Sequence, residues 1–341
     1  MLEHVDIEIN HRCNLACRHC SARAVQGKLE TNELSIGTIT EILKEASTLG
    51  LRKVGLTGGE PLIDPDKLAA IARFCLTELH VPVHMHSNGN LVTEQMCKTG
   101  SLLSLFESVS VTFLGGTAEI HDNMTQTTGS FLRSFEGARL IAEAGLPLTC
   151  YFIPLSHNCS ELPQLAVDLG GIGVRRIRVM ALAPSGRARS IYETSLPMPH
   201  ELQVLEEGLL RVGNDLSLTI EAGNCTRLSM PGFSVLDGHD KCMSGLNRVH
   251  INSRGHVFPC TAASGVPELM IGDLGKSNLT SIWNNNHLLN SIRSMHDGSL
   301  ESCKDCKKDK KCSAGCMVRE HSALPTTVST ACTIVGSYHH A

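Results

Sequence analysis

Short runs in which apolar and β-branched residues alternate with polar ones recur along the first two-thirds of the chain, at residues 5–9, 53–56, 82–86, 108–113, 148–153 and 175–180. Between them, residues 36–49, 66–78, 131–144 and 161–168 return apolar side chains at three- and four-residue spacing. The first period is that of strands and the second that of helices. Gly50 and Gly145 stand where two of these helices should stop. Strands alternating with helices predict an α/β fold, a partial (β/α)6 TIM-like barrel of parallel strands. The chemistry of such a barrel gathers at the C-terminal ends of its strands.

After Pro184-Ser185-Gly186 the pattern changes to one more helix, residues 200–212, and an isolated apolar run, residues 216–220. From Cys242 onward cysteines are dense and helical periodicity is weak, as expected where metal ligands replace part of an apolar core. Two domains are predicted, residues 1–222 and 223–341, the second with a frayed C-terminal tail. A hydrophobic content of 42% supports a sizeable core, and a formal charge of −4 provides no general attraction for nucleic acid. Residues 1–10 do not form the apolar run of a signal peptide, and no stretch reaches the ~20 apolar residues of a membrane span. A soluble, cytoplasmic protein with no membrane partner is expected.

Fifteen cysteines need a reason, because a reducing compartment does not maintain a large disulfide framework. Cys13, Cys17 and Cys20 follow the first predicted strand at C-x3-C-x2-C spacing. Three thiolates leave one iron of a [4Fe–4S] cluster open, since four are the usual complement. Zinc, or three unrelated core cysteines, are alternative readings of the triplet taken alone. Thr57-Gly58-Gly59-Glu60-Pro61 lies at the end of the second strand, Ser87-Asn88-Gly89 at the end of the third and Thr112 at the end of the fourth.

In this order and placement the four elements resemble the radical S-adenosylmethionine superfamily. The resemblance implies a [4Fe–4S] cluster on Cys13, Cys17 and Cys20, with the amino and carboxylate groups of S-adenosylmethionine on the open iron. It further implies cofactor contacts from Gly58, Gly59, Glu60 and Pro61, with the Glu60 carboxylate accepting from the cofactor's ammonium group. Ser87 and Asn88 would face the ribose, Thr112 would stand where relatives carry Ser, and His19 would stack on adenine in place of an aromatic residue. The family's Ser-Leu-Asp-Gly becomes Thr112-Phe113-Leu114-Gly115, which removes a carboxylate at Leu114.

Cys303, Cys306, Cys312 and Cys316 are spaced C-x2-C-x5-C-x3-C, preceded by Cys242 and Cys260 and followed by Cys332. This arrangement resembles the SPASM extension of radical enzymes, a cysteine-rich C-terminal domain that binds auxiliary iron–sulfur clusters. By that resemblance Cys303, Cys306, Cys312 and Cys332 hold one auxiliary [4Fe–4S] cluster, and Cys242, Cys260 and Cys316 hold a second that lacks one ligand. Cys225 has three readings: the missing ligand, a thiol that donates hydrogen to a substrate radical, or an inert buried cysteine. The lysines at 304, 307, 308, 310 and 311 either stabilise a negatively charged cluster or form a solvated loop. Cys75, Cys97, Cys150 and Cys159 have no partner spacing and are assigned to the core.

The resemblance implies an enzyme that generates a 5′-deoxyadenosyl radical to abstract hydrogen from a ribosomally made peptide. The outcomes open to it are a thioether or C–C crosslink, oxidation, epimerisation or backbone excision. The alternative is an oxidoreductase, epimerase or decarboxylase acting on a sugar or tetrapyrrole precursor. A peptide precursor would be recognised by the barrel and the cysteine-rich domain or by a separate leader-recognition protein, with flavodoxin or ferredoxin as electron donor. Arg187 is a candidate carboxylate clamp, with a surface salt bridge as the alternative.

Overall fold

The computed structural model describes residues 1–27, 32–213, 218–223, 242–297 and 316–318. Strands β1 (His4–Glu8), β2 (Lys53–Thr57), β3 (Val83–Ser87), β4 (Ser108–Phe113), β5 (Leu148–Phe152) and β6 (Arg176–Val179) are the six expected, each within a residue or so of its sequence pattern. They pair in parallel in chain order. The principal helices between them are α1 (Ile36–Thr48), α2 (Pro65–Thr77), α3 (Ala118–Thr125), α4 (Ser130–Glu143) and α5 (Leu162–Gly171). Ser35 caps α1 by accepting from Thr38 N, and Asp64 caps α2 ahead of a proline that donates no hydrogen bond.

The sheet does not end at six strands. The apolar run that looked isolated supplies β7 (Thr219–Ala222), which pairs in parallel with β6 after α6 (Pro199–Gly213). On the opposite side, β8 (Arg248–Ile251) pairs in parallel with β1 and turns back through β9 (His256–Phe258) and β10 (Gly272–Asp273). The order β10-β9-β8-β1-β2-β3-β4-β5-β6-β7 therefore joins the first of the C-terminal segments to the barrel in one ten-stranded sheet. Helices α7 (Leu279–Asn285) and α8 (His287–Asp297) follow. No helix among the described residues is long and apolar enough to cross a membrane.

Val5, Ile7, Val54, Leu56, Val83, Met85, Val109, Val111, Cys150, Phe152, Ile177 and Val179 are buried beneath the helices and form one core with Leu43, Leu68, Ile71, Ile141 and Leu165. Cys75 and Cys159 join this core and Cys97 packs against it. Because strand side chains alternate, the intervening residues face the lumen, and here they are polar. His4, Asp6 and Glu8 of β1, His84 and His86 of β3, Ser108, Ser110 and Thr112 of β4, and Arg248 and His250 of β8 line it. A closed TIM barrel fills this space with branched apolar residues.

The lumen floor is a hydrogen-bonded charge cluster. Asp6 Oδ1 lies 3.0 Å from His4 Nε2 and Asp6 Oδ2 lies 3.4 Å from Arg248 Nε. Burial pushes the Asp6 carboxyl up, but Arg248, His4 and His86 outweigh it and hold the group well below the usual carboxylate range. Burial, with His86 beside it, pushes His84 down to about 2, and burial pushes His121 down to about 4. Both imidazoles are neutral in the folded chain, whereas an unfolded one titrates near 6.5. Between those values the unfolded chain binds more protons, so this stabilisation is complete above pH 6.5 and is lost as pH falls. The unfolding free energy of the cluster-free chain, from urea titration, should drop between pH 7 and pH 5 by roughly 1–2 kcal/mol per imidazole, and this pH dependence should flatten in His84→Asn. A midpoint indifferent to pH across this window would contradict the assignment.

Candidate functional site

The loop leaving β1 carries Cys13, Cys17 and Cys20, all free thiols, at the C-terminal rim of the barrel. Leu15 N donates to Cys13 Sγ at 3.4 Å, and Asn88 Nδ2 lies 3.8 Å from the same sulfur. Burial pushes Cys13 up to about 12, and it raises Cys17 and Cys20 as well; Cys13 and Cys20 beside Cys17 add to its shift. Three crowded thiols that resist ionisation alone are what a metal centre supplies a reason for, since ligation replaces their protons. Among the described residues no three Cys, His, Asp or Glu side chains close on a point as ligands of a single ion do. The thiolates of a four-iron cluster each bind a different iron and stand apart.

The Gly58-Gly59 pair is present for close approach. A Cβ on Gly59 would lie 2.1 Å from the Arg12 carbonyl oxygen, and one on Gly58 would lie 2.6 Å from Asn10 Oδ1. Gly59 N donates to Asn10 O at 3.0 Å and Glu60 N to Arg12 O at 2.7 Å, which lashes the cysteine loop to the end of β2. Pro61 opens a short 3-10 turn and is buried.

Glu60 is anchored by the strand ends around it. Its carboxylate is fully buried and turned inward, accepting from Ser87 Oγ at 2.8 Å, Asn88 N at 2.8 Å and Leu62 N at 3.1 Å. Burial pushes it up to about 7 against those three donors. The Ser87 hydroxyl, expected at the ribose, donates to Glu60 and accepts from Gly89 N. Asn88 instead reaches the cysteine loop, donating to Asn14 Oδ1 at 2.8 Å. The chain Glu60–Ser87–Asn88–Asn14 thus holds three strand ends together. Thr112 is half-buried on the lumen side of β4. Leu114 lies in a small apolar cluster with Met124, Leu155, Leu182 and Ala188, so the position that lost its carboxylate is now packing.

Among the described residues Arg187 is turned onto the cysteine loop and pairs with no surface acid. Its Nε donates to Cys17 O at 2.7 Å and its Nη1 to Ala24 O at 2.8 Å, across the cysteine loop. The next contact is as tight: Gly186 has φ +58, and a Cβ there would lie 2.2 Å from Ser21 O. Replacing Arg187 by Ala should destabilise the cluster-free chain by about 2–3 kcal/mol through two lost charge-assisted bonds, and should lower iron retention. Lys, with one compact ammonium group, should recover only part of the loss. Denaturant titration and iron assay check this, and an unchanged midpoint would show that the clamp does not hold the loop.

Five buried side-chain atoms have no partner among the described residues: Asn10 Oδ1, Arg12 Nε, His19 Nδ1, His121 Nε2 and Ser185 Oγ. Three lie on the cysteine loop itself. His121 interacts electrostatically with His19, which burial, Arg187 and His121 push down to about 4, and Ser185 adjoins Gly186. Unpaired buried polar atoms are rare and ask for a ligand. Their concentration here fits the donor set to a polar cofactor bound beside an iron–sulfur cluster. His121 and Ser185 carried no signal in the sequence, because only the fold brings them to the loop.

A second group of thiols forms beyond β8. Cys260 follows β9, and Cys242 and Cys316 lie close enough that both, after burial, raise it, to about 12. Phe258, Ala263, Val266, Leu269 and Val318 pack against Cys260 and Cys316. His250 Nε2 lies 3.0 Å from Glu8 Oε1 and its Nδ1 lies 3.3 Å from Thr261 Oγ1, so a buried bridge connects β1 to the residue after Cys260. Cys225, Cys303, Cys306, Cys312 and Cys332, with the lysines among them, lie outside the described residues.

Comparison with known proteins agrees with this geometry. Residues 7–161 match the radical SAM superfamily model, and residues 242–307 match SPASM, an iron–sulfur cluster-binding domain. The PqqA peptide cyclase of Gluconobacter oxydans is 26% identical over 313 residues, covering 91% of this chain and 84% of its own length. The AdoMet-dependent heme synthase of Methanosarcina barkeri is 24% identical over 343 residues, covering 93% and 91%. Streptococcus suis SuiB bound to S-adenosylmethionine shares the fold at a TM-score of 0.69 and 18% identity, covering 92% of this chain and 73% of SuiB. The cysteine loop at the head of β1, the glycine pair that seats it and the second thiol group on the same sheet are accordingly those of a chain that belongs to the radical S-adenosylmethionine superfamily, with a SPASM iron–sulfur domain at its C-terminal side.

Proposed function

We propose that this enzyme modifies a peptide, with Cys13, Cys17 and Cys20 as ligands of the cluster that receives S-adenosylmethionine. When bound, that cofactor pair supplies a primary carbon radical able to take hydrogen from an unactivated C–H bond. The observation that carries the reading is a polar lumen within a sheet that does not close, with the first thiol group at the end of β1 and a second thiol group after β9 of the same sheet. Likeness to a peptide cyclase over 91% of the chain supports the substrate class.

The chain's own groups bind, orient and exclude. Arg12 Nε, Asn10 Oδ1 and His19 Nδ1 are the buried atoms left to meet the cofactor, and His19, neutral near pH 7, can stack without repelling a sulfonium. Glu60 orients Asn88 toward Cys13, and Gly58 and Gly59, which seat the cysteine loop, would with Pro61 border the cofactor. Thr112, half-buried on the lumen side of β4, is proposed as a further cofactor contact. Cys242, Cys260 and Cys316 are proposed as auxiliary-cluster ligands with Cys225 as candidate fourth, and Cys303, Cys306, Cys312 and Cys332 as a further set. A cytoplasmic setting, a separate leader-recognition protein and a flavodoxin or ferredoxin donor complete the proposal.

The test uses the full chain reconstituted anaerobically with iron and sulfide. Short peptides encoded beside its gene are expected to stimulate 5′-deoxyadenosine formation and to emerge with an altered mass. A second reading, decarboxylation of a tetrapyrrole side chain, is favoured by the likeness to heme synthase over 93% of the chain. Turnover of a tetrapyrrole, with no response to any peptide, would replace the first reading by the second.

A further inference from the structure

One row of lumen side chains is not used by the thiols or by the cofactor contacts beyond Thr112. Strand register sets Thr112 opposite Tyr151, Tyr151 opposite Arg178, and Arg178 opposite Glu221. Their strand neighbours Val111, Phe113, Cys150, Phe152, Ile177 and Val179 are buried in the outer core, so the row itself faces the lumen. It begins at a proposed cofactor contact and runs to the edge strand. A guest lying along it would be adjacent to the cofactor.

Arg178 Nε donates to Glu221 Oε1 at 2.8 Å, Nη2 donates to the same oxygen, and the guanidinium lies 6.0 Å from the centre of the Tyr151 ring. The Tyr151 ring is 5.9 Å from that of His86. The side chains of Arg178 and Glu221 keep 31% and 24% of their surface, enough to be reached. Among the described residues nothing accepts from Arg178 Nη1, nothing donates to Glu221 Oε2, and nothing bonds the Tyr151 hydroxyl.

The row therefore offers donors from Arg178 and Tyr151 and an acceptor from Glu221, on a pair whose charges cancel. A charged guest would leave one member of that pair without its partner in a half-buried place, which is unfavourable. An uncharged guest with one acceptor and one donor satisfies both. We propose that Tyr151, Arg178 and Glu221 form a subsite for a peptide group, with its carbonyl held by Arg178 and Tyr151 and its N–H by Glu221. This rests on the peptide-modifying reading and specifies where the backbone lies.

The experiment is saturation-transfer NMR on the reconstituted full chain with two probe pools: tripeptides acetylated and amidated at their ends, and the same tripeptides acetylated with free carboxylates. The wild-type chain should prefer the amidated pool. Glu221→Gln keeps the shape but leaves the guanidinium unbalanced. It should weaken the amidated pool roughly tenfold and strengthen the carboxylate pool, reversing the preference. A damaged fold would lower both. Arg178→Met should weaken both pools, with iron content and far-UV circular dichroism reporting that the fold is intact; should it fail to fold, the reversal in Glu221→Gln decides alone. An unaltered preference in Glu221→Gln, with peptide-stimulated 5′-deoxyadenosine formation intact, would overturn the subsite and leave the peptide reading standing. Binding of neither pool by the wild-type chain, with binding of a tetrapyrrole, would overturn both.

Discussion

Cys17→Ser is expected to yield a folded chain that lacks the iron of one cluster, about four atoms per molecule, and forms 5′-deoxyadenosine only at background. Burial raises the Cys17 thiol, with Cys13 and Cys20 adding to the shift and Arg187 opposing it. Such a group gains little from being a free thiol among thiols, and only a metal able to replace its proton makes the crowding favourable. Serine keeps the size but is a poor iron ligand. Cys150→Ser is the control: it is fully buried in the outer core, away from the half-buried Cys17, and should retain iron while losing about 1–2 kcal/mol of stability. Iron assay, electron paramagnetic resonance and chromatography of the cleavage product read the difference. Full iron and undiminished cleavage in Cys17→Ser would remove it from the ligand set.

Gly59→Ala should have nearly the same effect without touching a ligand. The added carbon would lie 2.1 Å from Arg12 O and 2.8 Å from His11 O, and both are backbone atoms that cannot rotate aside. Relief requires the loop to leave the end of β2, breaking the bonds from Gly59 N to Asn10 O and from Glu60 N to Arg12 O. The expected loss is about 3 kcal/mol or more in the cluster-free chain, with iron content falling toward that of Cys17→Ser. Gly171→Ala, where nothing lies within 4 Å and α5 is ending, should be neutral or slightly stabilising. Retained iron and an unmoved unfolding midpoint in Gly59→Ala would refute the close approach.

Much of the site was legible because its signals are local. The cysteine triplet, Gly58-Gly59-Glu60-Pro61 and Ser87-Asn88 each lie within a few residues at a strand end, and strand ends follow from alternation. The protein partners of Glu60 were not legible, since a carboxylate on a turn looks the same in sequence whether or not Ser87 and Asn88 donate to it. The bonds from Arg187 to Cys17 O and Ala24 O were not legible either, because those carbonyls are more than 160 residues away in sequence. The apolar run that became β7 lacked a visible partner for the same reason.

The amino-acid sequence alone determined the strand and helix order of the barrel, the two thiol-rich regions and the kind of cofactor they resemble. Side-chain period and ligand spacing are set by the covalent chain over a few residues, so they survive without the fold. Only the tertiary structure decided that β8 joins β1, that Cys242, Cys260 and Cys316 meet, and that Tyr151, Arg178 and Glu221 form one row. Those facts depend on register between strands distant in sequence, which is chosen by burying the outer apolar faces together and cannot be read from any segment by itself.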